Sequence, residues 1–276
     1  MKMYVEHLYE HISPLEQYAA TVTSQSGEDG IIAHIMKVIE PSNRYCVEFG
    51  AWDGKYLSNC HELLKNQNWH GLMIEGDPEK FKELVETYRG SSNVALHNGY
   101  VSSAGPDSLD NILTLKSAPK SFGLLSIDID GNDYYVWEAL NDFFPDLIVI
   151  EFNSSIPNDV VFVQEQSPTV NQGCSLLSLV KLGKEKGYEL AVCTGHNAFF
   201  VKKEKFGLLG VENNFISTLY TPVQNGRIFQ GYDSSIHVVG MDRLMWRGGV
   251  RIDWETFQLF PKEERVYREA PKQNRP

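Results

Sequence analysis

The chain has 276 residues, 42% of them hydrophobic and 22% charged, with a net charge of −11. That length carries a full core, as one large α/β domain or one domain plus an extension. The acidic balance argues against a general affinity for nucleic acid or for an anionic membrane, and no run approaches the ~18 apolar residues of a membrane span.

Residues 1–23 mix aromatic and apolar side chains at loose helical spacing. Ser24-Gln-Ser-Gly-Glu-Asp-Gly30 is a polar turn that runs into an amphipathic helix at 31–39, with Glu28 and Asp29 near its positive end; Pro41 and Asn43 end it. We read 1–40 as an N-terminal helical segment. Its opening, MKMYVEHLYEHIS, has acids and histidines where a signal peptide would be apolar, so a cytoplasmic protein is expected.

Strands and helices then alternate. Strands are predicted at 47–50, 72–75, 94–97, 122–128 and 147–152, with helices at 59–67, 78–88, 107–115, 132–140 and 175–186. Residues 188–193 and 198–201 form a terminal hairpin around Thr194-Gly-His-Asn197. This alternation predicts an α/β fold: a doubly wound, mostly parallel, Rossmann-like sheet over 41–202 that ends in an antiparallel hairpin. Residues 154–172 read as a long polar loop. Residues 203–276 are less regular and read as an appended extension, a substrate-binding segment or an oligomer arm, with Trp246 and Trp254 as pocket or satellite-core residues and a charged, frayed end from 261. The four cysteines have no metal-knuckle or redox spacing, and Cys46 and Cys193 read as small core hydrophobes.

Three constellations carry chemistry. In Tyr45-Cys-Val-Glu-Phe-Gly-Ala-Trp-Asp-Gly54 and Leu72-Met-Ile-Glu-Gly-Asp-Pro78, successive strands end in Glu48 and Glu75 beside glycines. A tight turn in any α/β protein explains either one alone; the pair makes a nucleoside-binding crevice in which the second carboxylate accepts from ribose hydroxyls. Phosphates would call for a glycine loop with helix amides and often a lysine; carboxylates suit a neutral or cationic nucleoside instead. In Leu124-Leu-Ser-Ile-Asp-Ile-Asp-Gly-Asn-Asp133, Asp128, Asp130 and Asp133 crowd a strand end and need a cation, a shared proton or a cationic substrate, unless one caps the next helix and the rest are solvated. In Ile148-Val-Ile-Glu-Phe-Asn153, Glu151 and Asn153 could converge with Asp128 into an all-oxygen set suited to Mg²⁺, Mn²⁺ or Ca²⁺; the plainer reading is a carboxylate pair that holds substrate or a structural lysine. His196 sits in a glycine turn, as a general base or simply as a surface histidine.

With these residues in hand, the chain resembles the FkbM-type S-adenosylmethionine-dependent methyltransferases over about residues 24–202. Val47-Glu-Phe-Gly-Ala-Trp-Asp-Gly54 looks like that family's cofactor loop, Ile74-Glu-Gly-Asp-Pro78 like its ribose-binding strand end, and Ser126-Ile-Asp-Ile-Asp-Gly-Asn-Asp133 like its I-D-x-[DE]-G segment; Ser24-Gln-Ser-Gly-Glu-Asp-Gly-Ile31 resembles a turn found in one branch. The resemblance implies a Rossmann-like class I methyltransferase fold. It implies Asp128 as a metal ligand bordering the cofactor, Asp130 as base, and Glu151 completing the site. The chain departs from sugar-methylating relatives after strand five, with Glu151-Phe152-Asn153 in place of paired aspartates.

The expected function is therefore an O-methyltransferase that uses S-adenosylmethionine, with Mg²⁺ or Mn²⁺ assisting. Glu48, Gly50, Asp53 and Gly54 would hold the methionine part, Glu75 the ribose, and Asn98, Tyr100 and Val101 the adenine. Asp128, Glu151 and Asn153 would hold the metal, and Asp130 or His196 would act as base. The acceptor is a small molecule, a sugar, glycan precursor or nucleotide-linked sugar; no nucleic-acid partner is expected, and a homo-oligomer is in keeping with the extension. The rivals are a nicotinamide-dependent oxidoreductase, which would need the third glycine that is missing here, and a non-catalytic nucleoside-binding module.

Overall fold

Near-continuous apolar runs such as Leu147-Ile-Val-Ile150 suit strands buried on both faces, and they pair that way. The computed structural model describes residues 13–222 and 226–267; residues 1–12, part of the expected N-terminal segment, and 268–276, most of the expected frayed end, lie outside the described residues. The strands are β1 (Tyr45–Phe49), β2 (His70–Glu75), β3 (Val94–Asn98), β4 (Ser121–Ile127), β5 (Phe144–Glu151), β6 (Tyr188–Cys193) and β7 (Asn197–Lys202). Between them run α1 (Glu28–Ile39), ahead of β1, and α2 (His61–Asn66), α3 (Pro78–Thr87), α4 (Leu109–Leu115), α5 (Asp133–Ala139) and α6 (Leu176–Glu185). The sheet order is β3-β2-β1-β4-β5-β7-β6, parallel through β5, with β7 antiparallel to both β5 and β6. The doubly wound sheet with its terminal hairpin is thus the observed fold.

Element edges moved for local reasons. Helix α1 starts at Glu28, not at the first apolar residue, because Gly27 turns the chain at φ 92° and the positive end of the helix accepts acids in its first turn. Strand β5 starts three residues earlier than expected: Phe144-Pro145 pairs with Ser121-Phe122, and proline is tolerated at a strand's start. Strand β4 stops at Ile127, which leaves Asp128 in the turn beyond it. Before α1 the described chain makes a single 3-10 turn, Glu16–Tyr18, in place of a longer helix.

The described residues divide into two units. Residues 13–154 and Asn158–Thr221 hold the sheet, its helices and all of the buried apolar side chains, with Trp137, Phe122, Phe199 and Phe200 among the largest. This unit runs past 202 to include α7 (Lys203–Phe206) and α8 (Ile216–Leu219). The four cysteines are free and buried within it. The smaller unit, mainly 222–267 of the described residues, contains one two-stranded sheet, β8 (Arg227–Gln230) with β9 (Ile236–Val239).

Candidate active site

The order of the sheet reverses at β1: the chain steps outward to β2 and β3, then returns to β4 on the other side. The carboxyl ends of β1 and β4, on either side of this reversal, are the usual place for a ligand in such sheets. Gly50, at φ 75°, is what lets the two turns approach: a Cβ there would lie 1.6 Å from the Asp128 carbonyl oxygen. The acids read from the sequence stand along this edge. Glu75 ends β2, Glu48 lies one residue before the end of β1, Asp128 and Asp130 follow β4, and Glu151 ends β5.

Glu48 is buried. Ser58 Oγ donates to its Oε2 at 2.5 Å and the Asn59 amide to its Oε1 at 2.8 Å. Burial pushes its carboxyl up to about 7, against the opposing effect of these hydrogen bonds. Asn59 Nδ2 donates to Ser126 Oγ at 3.0 Å, while Asn59 Oδ1 is buried with no hydrogen-bond partner. An orphaned acceptor beside a buried carboxylate is an unmet demand for a donor. Glu75 is also buried and accepts from the amides of Trp52 and Asp77, both at 2.7 Å, so it ties the β1 loop to the β2 end.

The remaining loop residues divide by what they touch. Asp53 Oδ1 accepts from the Lys55 and Tyr56 amides and shapes its own turn. Gly54, at φ 76°, faces α3: a Cβ would meet Leu84 at 2.4 Å and Tyr88 at 2.7 Å, and its carbonyl accepts from Tyr88 Oη at 3.0 Å. The Cα face of Gly54 is therefore packed against Leu84 and Tyr88. Asn98 Nδ2 donates to the Glu75 carbonyl at 2.8 Å. The exposed Tyr100 ring lies over Gly76, where a Cβ would come within 2.4 Å of it, and Val101 packs partly against the core.

Asp128, Asp130 and Glu151 each offer a carboxylate oxygen within 4.8 Å of the others. Burial, then Asp128, Asp133 and Asp130, push Glu151 up to about 9. Asp128, open to solvent on one side, is raised by the packed protein around its carboxyl, then by Asp133, Asp130 and Glu48. Among the described residues no ion pair involves any of these acids, or Glu48 or Glu75. Asp133 is no helix cap: it accepts from the Ile129 and Gly131 amides, both at 2.8 Å, and so holds the turn on which Asp130 sits at φ 57°. Asn153 is engaged by the neighbouring loop, donating from Nδ2 to the Gln172 carbonyl at 2.9 Å. His196 Nδ1 lies 2.8 Å from Ser154 Oγ, and burial lowers its pKa while Glu28 opposes that. It precedes Asn197, which pairs with Glu151 across the ladder.

Two supports were not legible as functional in the sequence. Buried Gln164 accepts the Gln172 and Gly173 amides on Oε1, both at 2.8 Å, and donates from Nε2 to the Val170 carbonyl and Asn132 Oδ1. It folds the 163–174 loop against the acidic turn, where Asn171 Nδ2 donates to the Asp130 carbonyl at 2.9 Å. Glu28, at 0% exposure, accepts from Thr194 Oγ1 at 2.6 Å, Asn197 Nδ2 at 3.3 Å and the Ser26 amide at 2.5 Å. Asp29 gathers the Val22, Thr23 and Ser24 amides on one oxygen, and Thr23 Oγ1 donates to the Ser58 carbonyl. The Ser24–Gly30 motif is thus a clasp between the β6–β7 turn and the loop over β1. Its signals in the sequence were the resemblance of Ser24–Ile31 to a turn of one family branch and two acids in a glycine-flanked turn, which read as helix-end charges.

No family model and no curated protein matches the chain. Among solved structures it is similar to an O-methyltransferase family protein from Burkholderia thailandensis, at 11% identity over 63% of this chain and 57% of that one, with a TM-score of 0.38. It is similar to a SAM dependent methyltransferase from Aquifex aeolicus at 11% identity, 61% and 87% coverage and a TM-score of 0.39. It is also similar to the precorrin-6y C5,15-methyltransferase of Geobacter metallireducens at 13% identity, 68% and 96% coverage and a TM-score of 0.38. The chain spans little more than half of the Burkholderia protein.

Proposed function

We propose that this chain is an S-adenosylmethionine-dependent O-methyltransferase of the FkbM type. The observation that carries the reading is the row of strand-end carboxylates at the switch point, none of them paired with a cation. A nucleoside that brings its own ammonium and sulfonium answers that charge; a dinucleotide's phosphates would not. The fit is best at Glu48, where the orphaned Asn59 Oδ1 stands beside a carboxylate held near neutrality by burial.

In this reading Glu48 and Asn59 receive the ammonium and Glu75 accepts from the ribose hydroxyls, while Asn98, Tyr100 and Val101 border the base. Gly50 keeps the β1 and β4 turns close, and Asp53 and Gly54 keep the loop in shape. The bound cofactor supplies an electrophilic methyl group. Asp128 and Glu151, with Asn153 alongside, are hard oxygen donors of the kind that would hold Mg²⁺ or Mn²⁺, which would lower the acceptor hydroxyl's pKa. Asp130 accepts the hydroxyl proton, with His196 as the alternative base. Most of the acceleration comes from alignment of the acceptor oxygen with the methyl group. The acceptor is a hydroxyl of a sugar, a glycan precursor or a nucleotide-linked sugar. The exposed Gln172 amide, in the loop beside the acidic turn, supports that class, since a neutral donor and acceptor suits polyols.

Calorimetric titration with S-adenosylmethionine and its demethylated product, with and without Mg²⁺, tests this. Micromolar binding of either, lost in Glu75→Ala with the fold intact, is the expected result. Absence of binding to both would overturn the reading and turn attention to nicotinamide cofactors.

A further inference from the structure

The sheet unit has an opening at its other edge. At the amino-terminal ends of β1 and β2, away from the carboxylates of the candidate site, a cavity of about 480 Å³ lies where α1 and α2 turn into these strands. That volume is within the range of small-molecule sites. Lys37 comes from the last turn of α1 and Glu40 caps its end, Arg44 leads into β1, Gln67 caps α2, and Trp69 precedes β2. The two strand starts are joined at this point by the His70 amide, which donates to the Arg44 carbonyl at 3.0 Å.

The polar side chains around this cavity lack partners among the described residues. Lys37 and Arg44 are exposed, and neither forms an ion pair with Glu40 or with any other acid. The side chains of Lys37, Glu40, Arg44 and Gln67 make no hydrogen bond there either. Trp69 is the telling case. It is 3% exposed, and its benzo edge seats on Gly123, where an added Cβ would come within 2.6 Å of Cη2 and Cζ3. The indole N–H, on the opposite edge of the ring, donates to nothing among the described residues, although Trp69 walls the cavity. An indole buried this far ordinarily finds an acceptor for its N–H, so the cavity carries an unmet demand for one. The C-terminal end of α1 answers part of the Lys37 charge; the Arg44 guanidinium is answered by no acid. Donors outnumber acceptors, since two cations, an indole N–H and an amide face one carboxylate. Buried Met36 and half-buried Pro41 supply apolar wall between them.

We infer that this cavity is a second ligand site, which takes an organic oxyanion: one phosphate or carboxylate head on a flat apolar body. The Arg44 fork matches two oxygens of either head, and Lys37 adds a point charge. The Trp69 N–H and the Gln67 amide donate to the remaining acceptors, and Met36 and Pro41 flank the body. Glu40 repels a ligand with several anionic groups, so a single head is favoured over a polyanion. The inference does not rest on the methyl-transfer reading.

The test uses the full chain. Calorimetric titration with phenyl phosphate and with benzoate is expected to show binding of at least one of them with a dissociation constant below about 1 mM. Benzyl alcohol, benzylamine and inorganic phosphate, which are neutral, cationic and head alone, are expected to bind tenfold or more weakly. In ¹H–¹⁵N spectra the Trp69 indole resonance is expected to move as the anion binds, while those of the other four tryptophans hold still. Lys37→Gln with Arg44→Gln is expected to weaken binding about tenfold or more. Both positions are exposed and unpaired, so the melting temperature of this variant without ligand is expected to match the parent, while phenyl phosphate raises that of the parent alone. Binding of neither anion overturns the proposal. So does equal binding of benzyl alcohol, benzylamine or inorganic phosphate, an anion that binds and leaves the Trp69 resonance unmoved, or undiminished affinity in the double variant.

Discussion

Substitution of Glu48 by glutamine isolates the cost of keeping a carboxyl under the β1 loop. Burial moves this group from 4.5 to about 7. At ~1.4 kcal/mol per pH unit, ionised Glu48 costs the folded state about 3 kcal/mol. The sign follows from proton counting. The unfolded chain releases this proton near 4.5 and the folded chain near 7. Between those values the folded chain holds more protons, so stability falls as pH rises from about 4.5 to about 7 and then levels. Other acids, Glu151 above all, add slopes of the same sign, so the informative quantity is parent minus variant. Urea unfolding at pH 5 and pH 8 is expected to show that difference changing by about 2.5 kcal/mol, with Glu48→Gln relatively more stable at pH 8. A change below about 0.5 kcal/mol would refute the assignment of a desolvated, titrating Glu48. The proposed ligand adds a second signature: an ammonium placed beside Glu48 lowers its pKa, so binding near pH 7 releases a proton. Calorimetry in buffers of different ionisation enthalpy reads that release, and Glu48→Gln abolishes it.

Glu151→Gln is expected to stabilise the protein at pH 8, because the parent carries a carboxyl pushed up to about 9 there, and to abolish Mn²⁺ binding measured by electron paramagnetic resonance. Gly50→Ala sets a methyl 1.6 Å from the Asp128 carbonyl at positive φ, so a loss of about 2–4 kcal/mol on chemical unfolding is expected, with weaker nucleoside binding as the β1 and β4 turns part. Gln164→Ala orphans the Gln172 and Gly173 amides and is expected to cost about 2–3 kcal/mol; hydrogen exchange should quicken across 164–173 and at the Gly131 amide while the β4 and β5 amides keep their protection. Unchanged exchange at Gly131 would mean that the loop does not brace the acidic turn.

Local rules reached far into this protein. Apolar runs bounded by glycine or acid identified the central strands of the main sheet, because strands buried on both faces need unbroken hydrophobicity and the turns at their ends need glycine and polar side chains; the half-buried edge strand β3 was legible from its place in the alternation instead. The carboxylates of the candidate site were legible for the same reason: Glu75, Asp128 and Glu151 each close an apolar run, and Glu48 lies one residue before the end of one. What the sequence could not carry is partnership across distance. That Gln164 braces the turn of Asp130, that Glu28 clasps Thr194 and Asn197, and that Asn59 leaves an acceptor unmet beside Glu48 depend on strand order, which brings together residues from 10 to about 170 positions apart. At Gly54 an added side chain would meet Leu84 of α3, a contact across distance that the sequence does not show. Pattern alone set which residues lie at strand ends; only the tertiary fold decided which are braced and which still lack a partner, because burial and hydrogen-bond satisfaction belong to neighbours in space.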